Sequence, residues 1–225
     1  NTRWRCRPPS LYSQFNNLDD VNIVLNALLM MGFHDVFEVS AAAELVSEAT
    51  REYLSENPDR LPAISTACPS VVRLIRVRFP NLIPNLLPLN PPVEVAAILA
   101  AEKAMKETGL PREKIGIIFI SPCPSKVTYV KSPLGTDHSE VDRGAGHQGG
   151  LSAAAVLHEG GGRRPAGDRD VRKDRHQLGD GAAGEASGLF TEEYLAADGI
   201  ENVIRVLEDM EDQKFTNLKF VELNA

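Results

Sequence analysis

Two short apolar runs, each followed by a turn that contains a Cys-Pro pair, most constrain how this chain can fold. Residues 115–120 are continuously apolar, as expected for a strand buried on both faces of a parallel sheet. Residues 61–64 form the shorter run, which precedes Cys68, while the longer run precedes Cys123. Both thiols are therefore predicted at the carboxyl ends of strands, where open α/β sheets bind ligands.

Strand-like runs alternate with helical patterns, which predicts an α/β fold built from parallel βαβ units. Residues 81–92 are rich in proline and are predicted to form an extended connector. Ser40 is the predicted N-cap of the second helix. Helices are predicted at 21–31, 40–54, 70–79, 93–108 and 199–210, and strands at 36–39, 61–64, 115–120 and 218–223.

The position of the two thiols allows two interpretations. A thiol that faces the positive end of a following helix is more easily ionised, which suits it to a metal ion or an anionic cluster. The residues after Cys68 carry such a helical pattern. The alternative is that Cys68 and Cys123 are buried and inert, because free cysteine is among the most often buried residue types.

Composition narrows the range of partners and compartments. A net charge of −7 argues against nucleic acid or an anionic membrane surface as the main partner. Three widely spaced cysteines do not make a disulfide framework, which favours a reducing, cytoplasmic location. No apolar run approaches ~18 residues, so no membrane span is predicted. The basic first seven residues lack the apolar stretch of a secretory signal.

Residues 137–189 differ in character from the rest of the chain. They contain no Phe, Tyr, Trp, Ile or Met, but twelve of the seventeen glycines and four of the five histidines. The histidine spacings fit no compact metal-ligand motif, and the glycine runs match no phosphate-binding fingerprint. The chain is thus divided into a regular portion at 8–136, an anomalous segment at 137–189, and a helix and strand within 190–225.

Several short motifs together resemble one protein family. The segments that carry the similarity are Pro9-Ser10-Leu11-Tyr12, Gly32-Phe33 to Phe37, Ala67-Cys68-Pro69, Phe79 to Pro84, Ser121 to Lys126 and Phe220 to Ala225. In combination they resemble the C-terminal domain of the iron-only ([FeFe]) hydrogenase large subunit. The similarity covers residues 8 to about 143 and 186 to 225, and the whole chain (1–225) then corresponds to part of that domain.

The resemblance implies a fold and a cofactor. The family has two α/β lobes with mostly parallel sheets flanked by helices, and a cleft between the lobes holds the cluster. That cluster is a four-iron cubane ([4Fe-4S]) joined to a two-iron unit, and four cysteines hold it. Cys68 and Cys123 match two of these ligands. Lys126 matches a lysine that contacts an iron-bound diatomic ligand, and Pro9 and Ser10 match a segment that lines the two-iron pocket.

Departures from the family pattern bear on catalysis. Catalytic members carry a second cysteine, which relays protons, at the position of Ala67. A methyl group cannot transfer a proton. Ser121 replaces a family methionine, and Glu48 falls near a family glutamate of the proton path. These features resemble the divergent, sensory-type hydrogenases. The two remaining cluster cysteines are expected beyond Ala225.

The function that the resemblance implies is that of an iron–sulfur redox protein. The intact parent is expected to sense hydrogen, or to oxidise and evolve it slowly, as a hydrogenase-like oxidoreductase. This chain alone is expected to be inactive. A ferredoxin-like electron carrier or a signalling domain is the expected partner. Two alternatives remain open: a non-catalytic, hydrogenase-related iron–sulfur protein of cluster assembly, and a metal-free α/β interaction module.

The anomalous composition suggests out-of-frame translation. Read in a shifted frame, residues 1–10 can encode a credible first strand, and residues 144–155 and 170–181 can encode apolar, periodic segments. Under this hypothesis the histidine cluster and Cys6 have no function. The first strand and part of the second lobe are then missing, and residues 137–189 are poorly ordered. A genuine disordered insertion is the alternative.

Overall fold

The computed structural model describes residues 2–7, 20–121, 123–146 and 193–225. In chain order the elements are β1 (Thr2–Arg7), α1 (Val21–Met30), β2 (Asp35–Glu38), α2 (Val39–Glu56), β3 (Ala63–Ile64), α3 (Pro69–Arg78), α4 (Pro92–Thr108), β4 (Ile115–Ser121), α5 (Pro124–Lys131), β5 (Arg143–Gly146), β6 (Tyr194–Asp198), α6 (Ile200–Glu211) and β7 (Phe220–Asn224). Short 3-10 helices span Pro58–Arg60, Pro80–Asn85 and Arg112–Lys114. The chain divides into two compact units, Asn1–Ala42 with Val93–Gly181 and Ala43–Pro92 with Ala182–Ala225.

The first unit contains a four-stranded parallel sheet in the order β2-β1-β4-β5. From β1 the chain proceeds to β2 on one side, and from β4 it proceeds to β5 on the other. The strand order therefore reverses between β1 and β4, and the crevice outside the carboxyl ends of such a pair is where open α/β sheets bind ligands. Cys123 follows β4 and lies at this position in the topology.

Helices cover both faces of this sheet. Small side chains of α4 pack against β4, and α1 packs on the opposite face. The α4 side comprises Ala96, Ala97, Ala100, Ala101 and Ala104 against Ile115, Ile117 and Phe119, and the α1 side comprises Val24, Leu25 and Leu28 against Val36 and Ile120. The prediction that residues 115–120 form a strand buried on both faces is confirmed.

The second unit contains a three-stranded parallel sheet in the order β3-β7-β6. Alternate residues of the central strand β7 face different cores, as the two-residue period of a strand requires. Val221 and Leu223 pack with residues of α3 and α6, whereas Phe220 packs with Leu54 of α2. Both sheets are thus parallel and flanked by helices, as the sequence predicts.

Some elements differ from the sequence prediction. Ser40 does not cap α2, because the helix already begins at Val39. The connector at 81–92 is not simply extended, since Pro80–Asn85 is a 3-10 helix that proline tolerates at its first position. The short elements α5, β5 and β6 have no counterpart in the prediction. The strand β1 forms from the sequence as given, whereas the hypothesis of a shifted frame expects the first strand to be missing.

The anomalous segment is partly placed. Residues 137–146 form a loop followed by β5, which pairs with β4. Residues 147–189 lie outside the described residues, so the predicted disorder there stays a prediction. Across the described ranges, no helix has both the length and the apolar character that a membrane crossing needs.

Candidate functional site

The two Cys-Pro turns share one backbone geometry. Cys68 is the N-cap of α3, with φ −102° and ψ 105°, and Cys123 is the N-cap of α5, with φ −96° and ψ 114°. A proline occupies the first turn of each helix, where its missing N–H costs nothing. Neither cysteine side chain makes a capping hydrogen bond. Each thiol is therefore not used to cap its helix, and it lies at the helix end that favours a negative charge.

The two thiols differ in burial. Cys68 is 7% exposed and belongs to the core between α3, α6 and the second sheet, whereas Cys123 is half-buried. Both are free cysteines. The burial of Cys68 suits an inert core residue as well as a ligand shielded from water, while Cys123 is only partly buried.

Buried serines at the strand ends fix both turns. The Ser121 hydroxyl accepts a hydrogen bond from the Cys123 N–H at 3.1 Å and donates to the Cys123 carbonyl at 3.2 Å. Ser65 accepts in the same way from the Ala67 N–H at 3.2 Å. Both serines are 1% exposed. Their role was not predicted, although serine two residues before a turn N–H is a known turn signal.

Ser121→Ala is expected to lower the free energy of unfolding by about 1–3 kcal/mol, because the Cys123 N–H loses its partner in a partly buried turn. Urea unfolding followed by circular dichroism measures this change. Ser55→Ala is the matched control, since Ser55 is exposed and bonds only within its own helix turn. Equal midpoints for the two variants would contradict the role assigned to Ser121.

Lys126 lies in the first turn of α5, three residues after Cys123, and is half-buried. An ammonium group is unfavourable beside the positive end of a helix, and a bound anion would relieve that repulsion. Pro9 and Ser10 lie outside the described residues; in the chain they follow β1, the neighbour of β4.

The remaining predicted site residues are divided between the units. Cys123 and Lys126 share α5 in the first unit, whereas Cys68 and Glu48 belong to the second. Glu48 is exposed on α2, as a solvated helix residue would be. Its place in a proton path, like the cleft between lobes, stays a prediction.

The described residues supply few metal ligands. They contain no group of three or more His, Cys, Asp or Glu residues arranged to hold a metal ion. Of the four histidines within residues 137–189, only His138 is described, and its side chain is 80% exposed. A four-iron cubane takes four thiolates, and the described turns supply two.

One family model matches the chain, the "Iron only hydrogenase large subunit, C-terminal domain", over residues 9–143. The NADP-reducing hydrogenase subunit HndD of Solidesulfovibrio fructosivorans is 27% identical over 109 residues, covering 44% of this chain and 19% of that protein. Iron hydrogenase 1 of Clostridium pasteurianum is 24% identical over 119 residues, covering 52% of this chain and 21% of that protein. The matched region thus spans about a fifth of each curated relative.

Solved structures resemble the whole chain. An apo variant of the [FeFe]-hydrogenase HydA1 from Chlamydomonas reinhardtii superposes with a TM-score of 0.74 at 15% identity, covering 100% of this chain and 77% of that one. A structure of HydA(deltaEFG), described as revealing stepwise [FeFe]-hydrogenase H-cluster assembly, gives a TM-score of 0.70 at 14% identity, with coverages of 98% and 76%. At these identities the likeness establishes the fold.

Proposed function

Because the chain belongs to the family defined by the C-terminal domain of the iron-only hydrogenase large subunit, we propose that it is part of an iron–sulfur redox protein that senses hydrogen or slowly oxidises and evolves it. Cys68 and Cys123 are the proposed iron ligands. The observation that carries this proposal is their shared geometry: each follows a strand, caps a helix and makes no capping hydrogen bond through its sulfur.

The residues of this chain do not by themselves fit a complete cluster. Two thiolates can anchor iron and sulfide, but a cubane needs two more ligands, and the described residues hold no further metal-binding group. In the family, the cluster supplies the hydrogen chemistry, and the protein orients and shields it. No catalytic step is therefore assigned to residues of this chain.

Ala67 favours sensing over rapid turnover. It precedes Cys68 directly, its N–H is held by Ser65, and its methyl group can neither donate nor accept a proton. A site without a proton relay beside its iron ligand turns over slowly, because proton transfer needs a titratable group within hydrogen-bond reach. Slow turnover suits a protein that reports on hydrogen to a ferredoxin-like carrier or a signalling domain in the cytoplasm.

Two other functions remain as alternatives. A non-catalytic protein of iron–sulfur cluster assembly would use the same two thiols without a proton relay. A metal-free interaction module is favoured by one observation, the burial of Cys68 in an apolar core. These alternatives differ from the main proposal in whether iron binds and whether hydrogen exchange accompanies it.

Anaerobic reconstitution with iron and sulfide tests the proposal. Because Cys68 and Cys123 supply only two of the four ligands of a cubane, 2-mercaptoethanol is added to fill the remaining ligand positions. We expect bound iron, acid-labile sulfide and a visible charge-transfer band. We expect isotope exchange between hydrogen gas and heavy water to be absent or slow. If the chain binds iron but its full-length parent catalyses no isotope exchange of hydrogen gas, the cluster-assembly function is favoured. A chain without iron, sulfide or the visible band would contradict both iron-binding functions.

A further inference from the structure

Glu94 is a buried carboxylate that no predicted site includes. It lies on α4, is 4% exposed, and accepts two hydrogen bonds. The Ser139 hydroxyl donates to Oε1 at 2.5 Å, and the Glu140 N–H donates to Oε2 at 2.7 Å. Burying a carboxylate is costly unless strong hydrogen bonds compensate it, so these contacts hold residues 139–140 firmly against α4.

The same segment is attached to β4 by a second set of contacts. Arg112 donates to the Glu140 carbonyl at 2.8 Å and to the Asp142 carboxylate at 3.3 Å. Asp142 accepts the Ile117 N–H at 2.6 Å, and its own N–H donates to the Ile117 carbonyl at 3.0 Å. Residues 139–142 are thus fixed between α4 and β4, directly before β5.

The segment that Glu94 holds shares a core with α5: Val130 of α5 packs against the cluster that includes Val141, the residue after the held pair. Tyr129 of α5 is buried; burial first, and then the charge of Glu94, raise the pKa of its phenol to about 12, against a hydrogen bond with Thr136 that lowers it. The Glu94 carboxylate therefore lies within electrostatic reach of α5. That helix has only eight residues, and Cys123 is its N-cap.

We propose that Glu94 is a positioning residue for the Cys123 turn. By holding residues 139–140, which directly precede Val141 in the core against which Val130 packs, it fixes the far end of α5, and a helix of two turns transmits that restraint to its N-cap. This inference rests on the proposed function, in which the direction of the Cys123 thiol matters for iron binding.

The test is the alkylation rate of Cys123 by iodoacetamide in the folded chain, measured by mass spectrometry with Cys68 as internal reference. Glu94→Gln should raise the Cys123 rate by roughly tenfold, the change that losing one charge-assisted hydrogen bond gives, and leave Cys68 unchanged. A Gln amide must turn an N–H₂ group toward one of the two donors. Glu102→Gln is the matched control, since Glu102 is exposed on the same helix.

A tyrosinate titration separates positioning from general loosening. Glu94→Gln should lower the pKa of Tyr129, and Tyr129→Phe identifies that signal among the four tyrosines. The proposal is overturned if the pKa of Tyr129 falls while the Cys123 rate matches that of Glu102→Gln, or if both cysteines accelerate equally. Should Glu94→Gln unfold, Ser139→Ala removes a single donor and keeps the Glu94 charge, so the alkylation rates alone decide: a Cys123 rate equal to that of Glu102→Gln, or equal acceleration of both cysteines, overturns the proposal.

These measurements need no iron. A failure of iron reconstitution with a selective effect on Cys123 would remove the proposed function and leave the positioning role intact. Iron binding with no selective effect on Cys123 would remove the positioning role and leave the proposed function intact.

Discussion

Replacing Cys68 or Cys123 by serine is expected to remove most of the iron that the reconstituted chain binds, and replacing Cys6 is expected to leave it unchanged. Thiolate is the soft ligand that iron–sulfur clusters require, whereas a serine hydroxyl stays protonated near neutral pH and binds iron poorly. Loss of a residue that hydrogen-bonds to a metal ligand already lowers the affinity for the metal by about 10–100-fold. Loss of a ligand itself should therefore lower that affinity at least as much.

Iron content per chain and the visible band are measured on the reconstituted wild type and on the single variants Cys68→Ser, Cys123→Ser and Cys6→Ser. They are also measured on the double variant in which both Cys68 and Cys123 are replaced by serine. Serine is close in size to cysteine, but at position 68 its hydroxyl enters an apolar core, so circular dichroism must first show that this variant folds. Full iron retention in the Cys68→Ser, Cys123→Ser double variant would rule out the proposed ligands. Equal loss in Cys6→Ser would show non-specific binding.

The long helices were predictable from the sequence, because their apolar residues recur with the helical period over ten or more positions. The predicted starts and ends of α1, α3, α4 and α6 fall within one residue of the observed ones. The helix α5 was not predictable, since it has eight residues that include β-branched Val and Thr. Similarly, β6 is short and exposes much of its length.

The strand β1 shows where pattern and fold disagree. Its sequence alternates three arginines with Thr, Trp and Cys, yet its backbone pairs with β2 on one side and β4 on the other. A central strand of a parallel sheet is ordinarily apolar, so local preference and global position conflict here. The hypothesis of a shifted frame stays a prediction, which resequencing of the coding DNA tests.

The end of the family match coincides with a structural boundary. The match stops at residue 143, and the contacts of Glu94, Arg112 and Asp142 fix the chain up to residue 142. The strand β5 that follows reads Arg-Gly-Ala-Gly, a sequence with little preference for a strand. Residues up to 142 therefore carry specific side-chain contacts consistent with the fold, and the glycine-rich composition begins immediately after them.

Of the candidate site, the two thiols were predictable and their supports were not. A cysteine after an apolar strand is visible in the sequence because strand ends are ligand positions in α/β folds. Glu94 contacts residues 45 and 46 positions away, and no local pattern indicates which helix residue will meet that segment. The contacts of such residues can be identified only when the packing of α4 on the sheet is known.

Phe220→Ala is expected to lower the free energy of unfolding by about 3–5 kcal/mol, a large part of the 5–15 kcal/mol typical of whole domains. Phe220 is 0% exposed on the central strand β7, and its ring stacks on Tyr194 with centroids 6.0 Å apart. Removing the ring opens a cavity beside Leu54 and Leu87, which the surrounding core can only partly fill.

This substitution should also reach the Cys68 turn. The Ser65 N–H donates to the Val221 carbonyl of β7 at 2.9 Å, and β3 pairs only with β7 among the described strands. Weakening β7 should therefore accelerate alkylation of Cys68 as well as lower the urea midpoint. Val77→Ala is the control: Val77 is 85% exposed, and its change should stay within about 0.5 kcal/mol. If both variants unfold at the same urea concentration, Phe220 does not anchor the sheet that positions Cys68.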